Sequence, residues 1–383
     1  MSALVRQEIM SAADLVVVKV GTRVLTNPDG TLDKDRVSNI AAQLAALWHS
    51  GTKCVLVSSG AVGAGLGRLG LATRPTDLAK LQAAAAIGQS FLIESYNRAL
   101  EPHRLHAAQI LLTAEDLQER TRYLNVRNTL FALFESSAVP IINENDTVSV
   151  EELKMSFGDN DRLAALVTNL IRAPLLILLS DIEGVYSGDP GDPASKVLSV
   201  ITDLAGAQAN LVRDQPNRPG LRLSTGGMAS KLIAARIATS AGENVVIASG
   251  RRDNVLADIL AAKDVGTLFL AEGPALDARK RWIGWSASPN GSLFLDAGAC
   301  RAIASGGKSL LSVGVTHLEG DFSKGDVVSL RDPAGLEFAR GLTNYSAEDM
   351  RIIAKAPTER IAELLGHRPY DEVVHRNNLI VLS

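Results

Sequence analysis

Residues 15–22 read LVVVKVGT, an apolar, β-branched run interrupted by Lys19 and ended by Gly21. A short continuous apolar run closed by glycine has the pattern of a strand buried on both faces of a sheet. The same signature returns at Lys53–Val57 (KCVLV), Ala107–Leu112 (AAQILL), Val139–Ile142 (VPII), Ala173–Leu179 (APLLILL) and Asn244–Ala248 (NVVIA). Helical patterns lie between these runs. In Arg36–His49 the residues Val37, Ile40, Ala41, Leu44 and Leu47 share one helical face, with Asp35 ahead of them. Asp77–Leu100 is rich in alanine, and Thr129–Ser136, Asp161–Arg172 and Gly227–Ala241 complete the alternation. Strands alternating with helices predict an α/β fold, an open and mostly parallel sheet sandwiched by helices.

The pattern changes near residue 276. Beyond the charged segment Leu276–Arg281 come Trp282 and Trp285, then short, glycine-punctuated, strand-like segments from Gly291 to Ala354. At about 150 residues per domain, 383 residues predict two or three domains. The expected division is 1–275, a small mainly β domain at 276–366, and a tail or closing strand at 367–383. The formal charge is −3, and the stretch from Asp277 to Ser383 is neutral, with 13 basic and 13 acidic residues. That balance argues against a chain built mainly to coat nucleic acid. Two cysteines, Cys54 and Cys300, cannot form a disulfide framework and read as small core residues of a reducing compartment. No apolar run approaches the roughly 20 residues of a membrane helix. The N-terminus, with Glu8 and Asp14, lacks a signal pattern, so a cytoplasmic protein is expected.

Open α/β sheets bind ligands at the carboxyl ends of their strands. After the first strand, Lys19 and Gly21 offer an ammonium and a tight turn, a phosphate-binding chemistry; the plainer alternative is a strand lysine reaching the surface. After the second, Ser59 and Gly60 begin a segment with five glycines in eleven residues. Within it Gly65-x-Gly67-x-x-Gly70 matches the dinucleotide fingerprint, but it starts too far beyond the strand and lacks the ribose-binding acid. Gly307-Lys308-Ser309 lacks the first glycine of a P-loop and reads as a turn. After the fourth strand, INENDTV (142–148) and FGDND (157–161) together hold four carboxylates and three asparagines. Asp159 or Asn160 would cap the following helix. The same cluster would bind an ammonium through Asp146 and a polar ligand backbone through Asn160. After the fifth come Ser180, Asp181 and Tyr186, either turn chemistry or the rim of a nucleobase site. Thr225, Gly226, Gly227, Met228, Ala229, Ser230 and Lys231 open a helix with phosphate-binding character. The histidines are scattered without metal spacing, and no GxSxG elbow or Cys–His pair is present.

VVVKVGT, VSSGAVGAG, INENDTV, FGDND, LLSDIEGVY and STGGMASK, in this order, resemble the amino acid kinase family, within it the branch that phosphorylates the side-chain carboxylate of L-glutamate. The β-rich end, from KRWIGW to ARGLTNYSAEDMRIIAK, resembles a PUA domain. The resemblance implies ATP as co-substrate with Mg²⁺ bridging its β- and γ-phosphates, and L-glutamyl 5-phosphate as product, opening proline formation. By the same resemblance Lys19 and Lys231 would act on the phosphates and Asp161 would orient both. Ser59, Gly60, Asp146 and Asn160 would bind glutamate, with Asp159 supporting its loop. Gly21, Ser180, Asp181, Tyr186 and Thr225–Lys231 would bind ATP. Feedback inhibition by proline and a homodimer or homotetramer are further expectations. A glutamate carboxylate is already ionised at neutral pH, with a reference pKa of about 4.3, so no catalytic base is required. The remaining task is positioning and charge neutralisation.

Three other readings stay open on the sequence. An N-acetylglutamate kinase or aspartokinase shares the phosphate chemistry, but Asp146 favours a substrate with a free amino group. An RNA-binding role rests on the PUA-like end. A dinucleotide-dependent oxidoreductase rests on Gly65, Gly67 and Gly70 alone.

Overall fold

The computed structural model describes residues 2–71, 73–148, 160–189, 191–202, 204, 227–273, 277–367 and 370–382. The chain divides into two units, Met1–Asp116 with Thr121–Ala275, and Leu117–Arg120 with Leu276–Ser383.

The first unit is built on a sheet of β1 (Leu15–Val20), β2 (Lys53–Ser58), β3 (His106–Leu112), β4 (Ala138–Glu144), β5 (Leu175–Ser180), β6 (Val200–Ile201), β7 (Asn244–Ser249) and β8 (Thr267–Phe269). Their order is β3-β4-β2-β1-β5-β7-β8-β6. All neighbours run parallel except β7 and β8. This is the expected mostly parallel α/β sheet. The six strands read from sequence are present, and the short β6 and β8 are added at one edge. Helices α1 (Ser2–Ser11), α2 (Thr22–Leu25), α3 (Lys34–His49), α4 (Ala61–Leu69), α5 (Leu78–Leu100), α6 (Ala114–Gln118), α7 (Arg120–Glu135), α8 (Asn160–Ile171), α9 (Met228–Ser240) and α10 (Val255–Leu260) accompany the strands.

β1 lies near the middle, between β2 and β5, with Lys19 level with Val57 on one side and Leu178 on the other. Its two neighbours take the chain in opposite directions across the sheet, which makes their carboxyl ends a topological switch point, where such folds place ligands. α8 packs against β1 and α9 packs against α8. Of the residues of α8, Arg162 alone is exposed. A helix buried nearly all round is a core element, and burial fixes where its first turn points.

Two details depart from the sequence reading. α7 begins at Arg120 rather than Thr129, because its first half buries little beyond Tyr123 and so carries scant apolar periodicity. Asn160 is the first residue of α8 rather than its cap. Arg6 of α1 is 1% exposed and donates to the carbonyls of Ser199, Val265 and Gly266, tying the N-terminal helix to the β6–β8 edge.

The second unit has a five-stranded sheet of β9 (Gly291–Leu295), β10 (Val315–Gly320), β11 (Val327–Arg331), β12 (Glu337–Leu342) and β13 (Leu379–Val381), in the order β10-β9-β11-β12-β13. Its own core includes Leu293, Leu295, Val328, Leu330, Tyr345 and Met350. The apolar end of the chain forms β13, antiparallel to β12.

Candidate active site

The parallel strands bring Val20, Ser58, Glu144 and Ser180 to one end of the sheet. Lys19 projects there from β1 and is buried. The first turn of α8 supplies Asp161, and α9 supplies Ser230 and Lys231. Lys19 Nζ lies 2.7 Å from Asp161 Oδ1, and Lys231 Nζ lies 3.2 Å from Asp161 Oδ2. Ser230 Oγ donates to the same Oδ2 at 2.9 Å. One buried carboxylate therefore holds two buried ammoniums contributed from positions 212 residues apart in sequence. Burial by itself would raise the Asp161 carboxyl, but Lys19 and Lys231 outweigh it and hold it below the ordinary value. Burial lowers Lys231 in turn, with Lys19 acting in the same direction and Asp161 opposing. The trio carries a net positive charge in a dry setting, suited to a polyphosphate.

The residue before Asp161 faces a second set of groups. Asn160 Nδ2 donates to Ser59 Oγ and to Asn143 Oδ1, both at 3.1 Å. Asn143 Oδ1 also accepts the Glu144 backbone N–H at 2.9 Å, and Asn143 Nδ2 donates to Gln89 Oε1 at 2.8 Å. Ser59 leads into α4 through Gly60, whose φ of 104° lets the chain turn from β2 directly into the helix. Asp146 is buried in the turn that follows β4. Two adjacent residues of one helix thus divide the site into a lysine side and an amide–hydroxyl side.

The other sequence-predicted residues are placed less centrally. Gly21 donates its N–H to Leu179 O at 3.0 Å and caps α2. Asp181 accepts from Ser180 Oγ and pairs with Arg23 at 3.1 Å. Tyr186 forms an isolated bridge with Val197. Gly227 caps α9, whose first turn holds Met228 and the exposed Ala229. Asp159, Thr225 and Gly226 lie outside the described residues.

Gly65 and Gly67 fall inside α4, and Gly70 caps its end. A Cβ on Gly65 would stand 1.8 Å from Ala84 O of α5, and one on Gly88 would stand 1.8 Å from Ala61 O. Gly65 and Gly88 let two helices touch backbone to backbone, while Gly67 lies against Thr31 and Gly70 ends α4 in the left-handed conformation, so the fingerprint-like spacing serves packing and helix ending.

The Amino acid kinase family profile matches residues 14–249, which contain every residue of the cluster just described. The chain belongs to the amino acid kinase family. Residues 291–365 match the PUA domain. Curated relatives agree over almost the full length. A glutamate 5-kinase of Rhodopirellula baltica is 48% identical over 377 residues, covering 98% of this chain and 96% of that protein. Glutamate 5-kinases of Geobacter sp. and Bordetella petrii are 44% and 46% identical, covering 98% of this chain and 100% and 98% of theirs.

In this amino acid kinase, sequence reading passed over Gln89 and gave Asn143 no individual role. Asn143 lay in a motif already singled out. Gln89 sits in an alanine-rich helix, where only the neighbouring Gly88, a costly residue in a helix interior, hinted at a close approach.

Proposed function

We infer that the chain transfers the γ-phosphoryl group of ATP to the side-chain carboxylate of L-glutamate, giving L-glutamyl 5-phosphate and ADP. The observation that carries this is the pair Asn160–Asp161. Asp161 gathers Lys19 and Lys231, and Asn160 gathers Ser59 and Asn143, so a phosphate-handling side and an acid-handling side meet at one helix start. Full-length similarity to glutamate 5-kinases supports the choice of acid.

In this reading the two ammoniums take charge that builds on the phosphoryl oxygens during in-line transfer. Asp161 keeps both lysines aimed and offsets their mutual repulsion. Ser59, Gly60 and Asn160 bind glutamate, with Asp159 supporting the loop beside it, and Asp146 receives its α-ammonium. Gly21, Ser180, Asp181, Tyr186 and the segment from Thr225 to Ser230 bind the nucleotide. Among the described residues no three metal-ligating side chains converge. Mg²⁺ usually rides on substrate phosphates, and the lysine pair fits a nucleotide that brings its own cation. When bound, it neutralises β- and γ-phosphate charge.

The test is ATP-dependent hydroxamate formation with glutamate, N-acetylglutamate and aspartate side by side. Glutamate is expected to be the preferred acceptor; preference for either competitor overturns the assignment. Proline inhibition, assembly as a dimer or tetramer and a cytoplasmic location belong to the same proposal. Among the described residues no helix is long and apolar enough to cross a membrane.

A second reading applies to the smaller unit, whose PUA match favours RNA contact. A gel shift across a salt series tests it. Binding that weakens steeply with salt supports the contact, and no binding removes it.

A further inference from the structure

The amide chain behind the acid-handling side has a fixed polarity. The Glu144 backbone N–H can only donate, so the atom of Asn143 that meets it at 2.9 Å is the carbonyl oxygen. Asn143 therefore turns its NH₂ group to Gln89, and Gln89 must answer with Oε1, at 2.8 Å. Gln89 Nε2 is then left pointing elsewhere. Gln89 is only 7% exposed, and its Nε2 has no hydrogen-bond partner among the described residues. A buried amide donor without an acceptor is costly and uncommon in native proteins. A donor that cannot be flipped into an acceptor asks for an oxygen from outside the chain.

The order of the groups indicates which oxygen. The sequence of contacts runs from the two lysines to Asp161, then Asn160, Asn143 and Gln89. Gln89 is the last group in that chain of contacts leading away from the phosphate-handling lysines. The part of a dicarboxylic acceptor furthest from the transferred phosphoryl group is the carboxylate that does not react.

We propose that Gln89 is a specificity-determining residue that donates Nε2–H to the non-reacting α-carboxylate of the amino-acid substrate. This rests on the functional reading above. Gln89 selects for an acid bearing a second carboxylate and, through Asn143, sets the facing of Asn160. It takes no part in the transfer itself, so its removal weakens binding of the acid and leaves the chemical step alone.

The experiment compares the full-length protein with Gln89→Met and Gln89→Glu in the hydroxamate assay. Gln89→Met keeps length and removes the donor. Its KM for glutamate is expected to rise about 10- to 100-fold, the range for a hydrogen bond to a charged group, with kcat and the KM for ATP near parent values. Gln89→Glu keeps an acceptor for Asn143 but places a second carboxylate against the substrate, so its KM should rise further and recover as pH is lowered. Inhibition by 4-aminobutanoate, which has no α-carboxylate, is expected to be the same in all three proteins. An unchanged glutamate KM in either folded variant overturns the proposal. So does a parallel rise in the KM for ATP, or weakened 4-aminobutanoate inhibition in step with glutamate, which would mark a structural role. If Gln89→Met does not fold, Gln89→Glu decides by its pH response. A parent enzyme that prefers another acid defeats the functional reading instead, and the Gln89 comparison is then made with that acid.

Discussion

Asp161 balances opposing electrostatic effects. A lone buried carboxylate would be pushed toward its neutral form, and two buried ammoniums side by side would repel. Placed together, they leave a formal surplus of one positive charge, which suits an anionic ligand. Lys231→Ala should therefore lower turnover by a factor on the order of 10² to 10³, the scale of losing one transition-state donor, while the KM for glutamate stays near parent. Steady-state kinetics decide, and a turnover near parent would remove Lys231 from the transfer. Its titration supplies a second test. Burial and Lys19 lower its pKa, against the opposing pull of Asp161 and, more weakly, Asp181. The protonated form is the working form, so kcat/KM for ATP should fall as pH rises through that lowered value, before the ordinary lysine range of about 10.4. Lys231→Arg stays charged and should lose this alkaline limb. A limb that persists unchanged would belong to another group.

The element that matters most for holding the acid side together is the α4–α5 contact. α4 begins at Gly60, next to Ser59, and α5 carries Gln89, so their spacing sets the width between those groups. A Cβ at Gly65 would overlap Ala84 O, forcing the helices apart. Gly65→Ala is expected to destabilise the fold by about 1–3 kcal/mol, the usual cost of overpacking, and to raise the glutamate KM. A urea midpoint and a KM equal to parent would show that the contact has slack. This element also marks where sequence reading ends. Central strands such as β1 and β5 were legible because burial on both faces leaves an unbroken apolar run. Their carboxyl ends were legible because polar and glycine-rich motifs follow at once. β6 and β8 were not, since strands of two and three residues carry no period. Gln89 was not, since its partner Asn143 lies 54 residues away and only the folded β4–α5 neighbourhood unites them. Arg6 was not either. A buried guanidinium on a short helix looks like surface charge until the three carbonyls it serves are known.

At the scale of the whole molecule, the formal charge of −3 conceals a local inversion. The acidic excess lies before residue 277, in the part of the chain that buries the Lys19–Lys231 pair. Net charge therefore says little about which ion a site prefers. The two units differ in the same way, each with its own sheet and its own core, and in the second the buried core residues run from Ile283 to Ile380. A chain ended after residue 276 is therefore expected to fold, to melt in one cooperative transition and to keep glutamate-dependent hydroxamate formation. One local effect should accompany the cut. Trp282 Nε1 donates to Gln118 O at 3.1 Å, and the Arg120 guanidinium lies 5.4 Å from the Trp282 ring centre. Both contacts leave with the removed segment, so backbone hydrogen exchange at Leu117–Arg120 should quicken while exchange in β1 and β5 stays slow. If the shortened chain is insoluble, or if exchange quickens throughout the large sheet, the two cores are not independent, and the β-rich unit is part of what keeps the lysine pair in place.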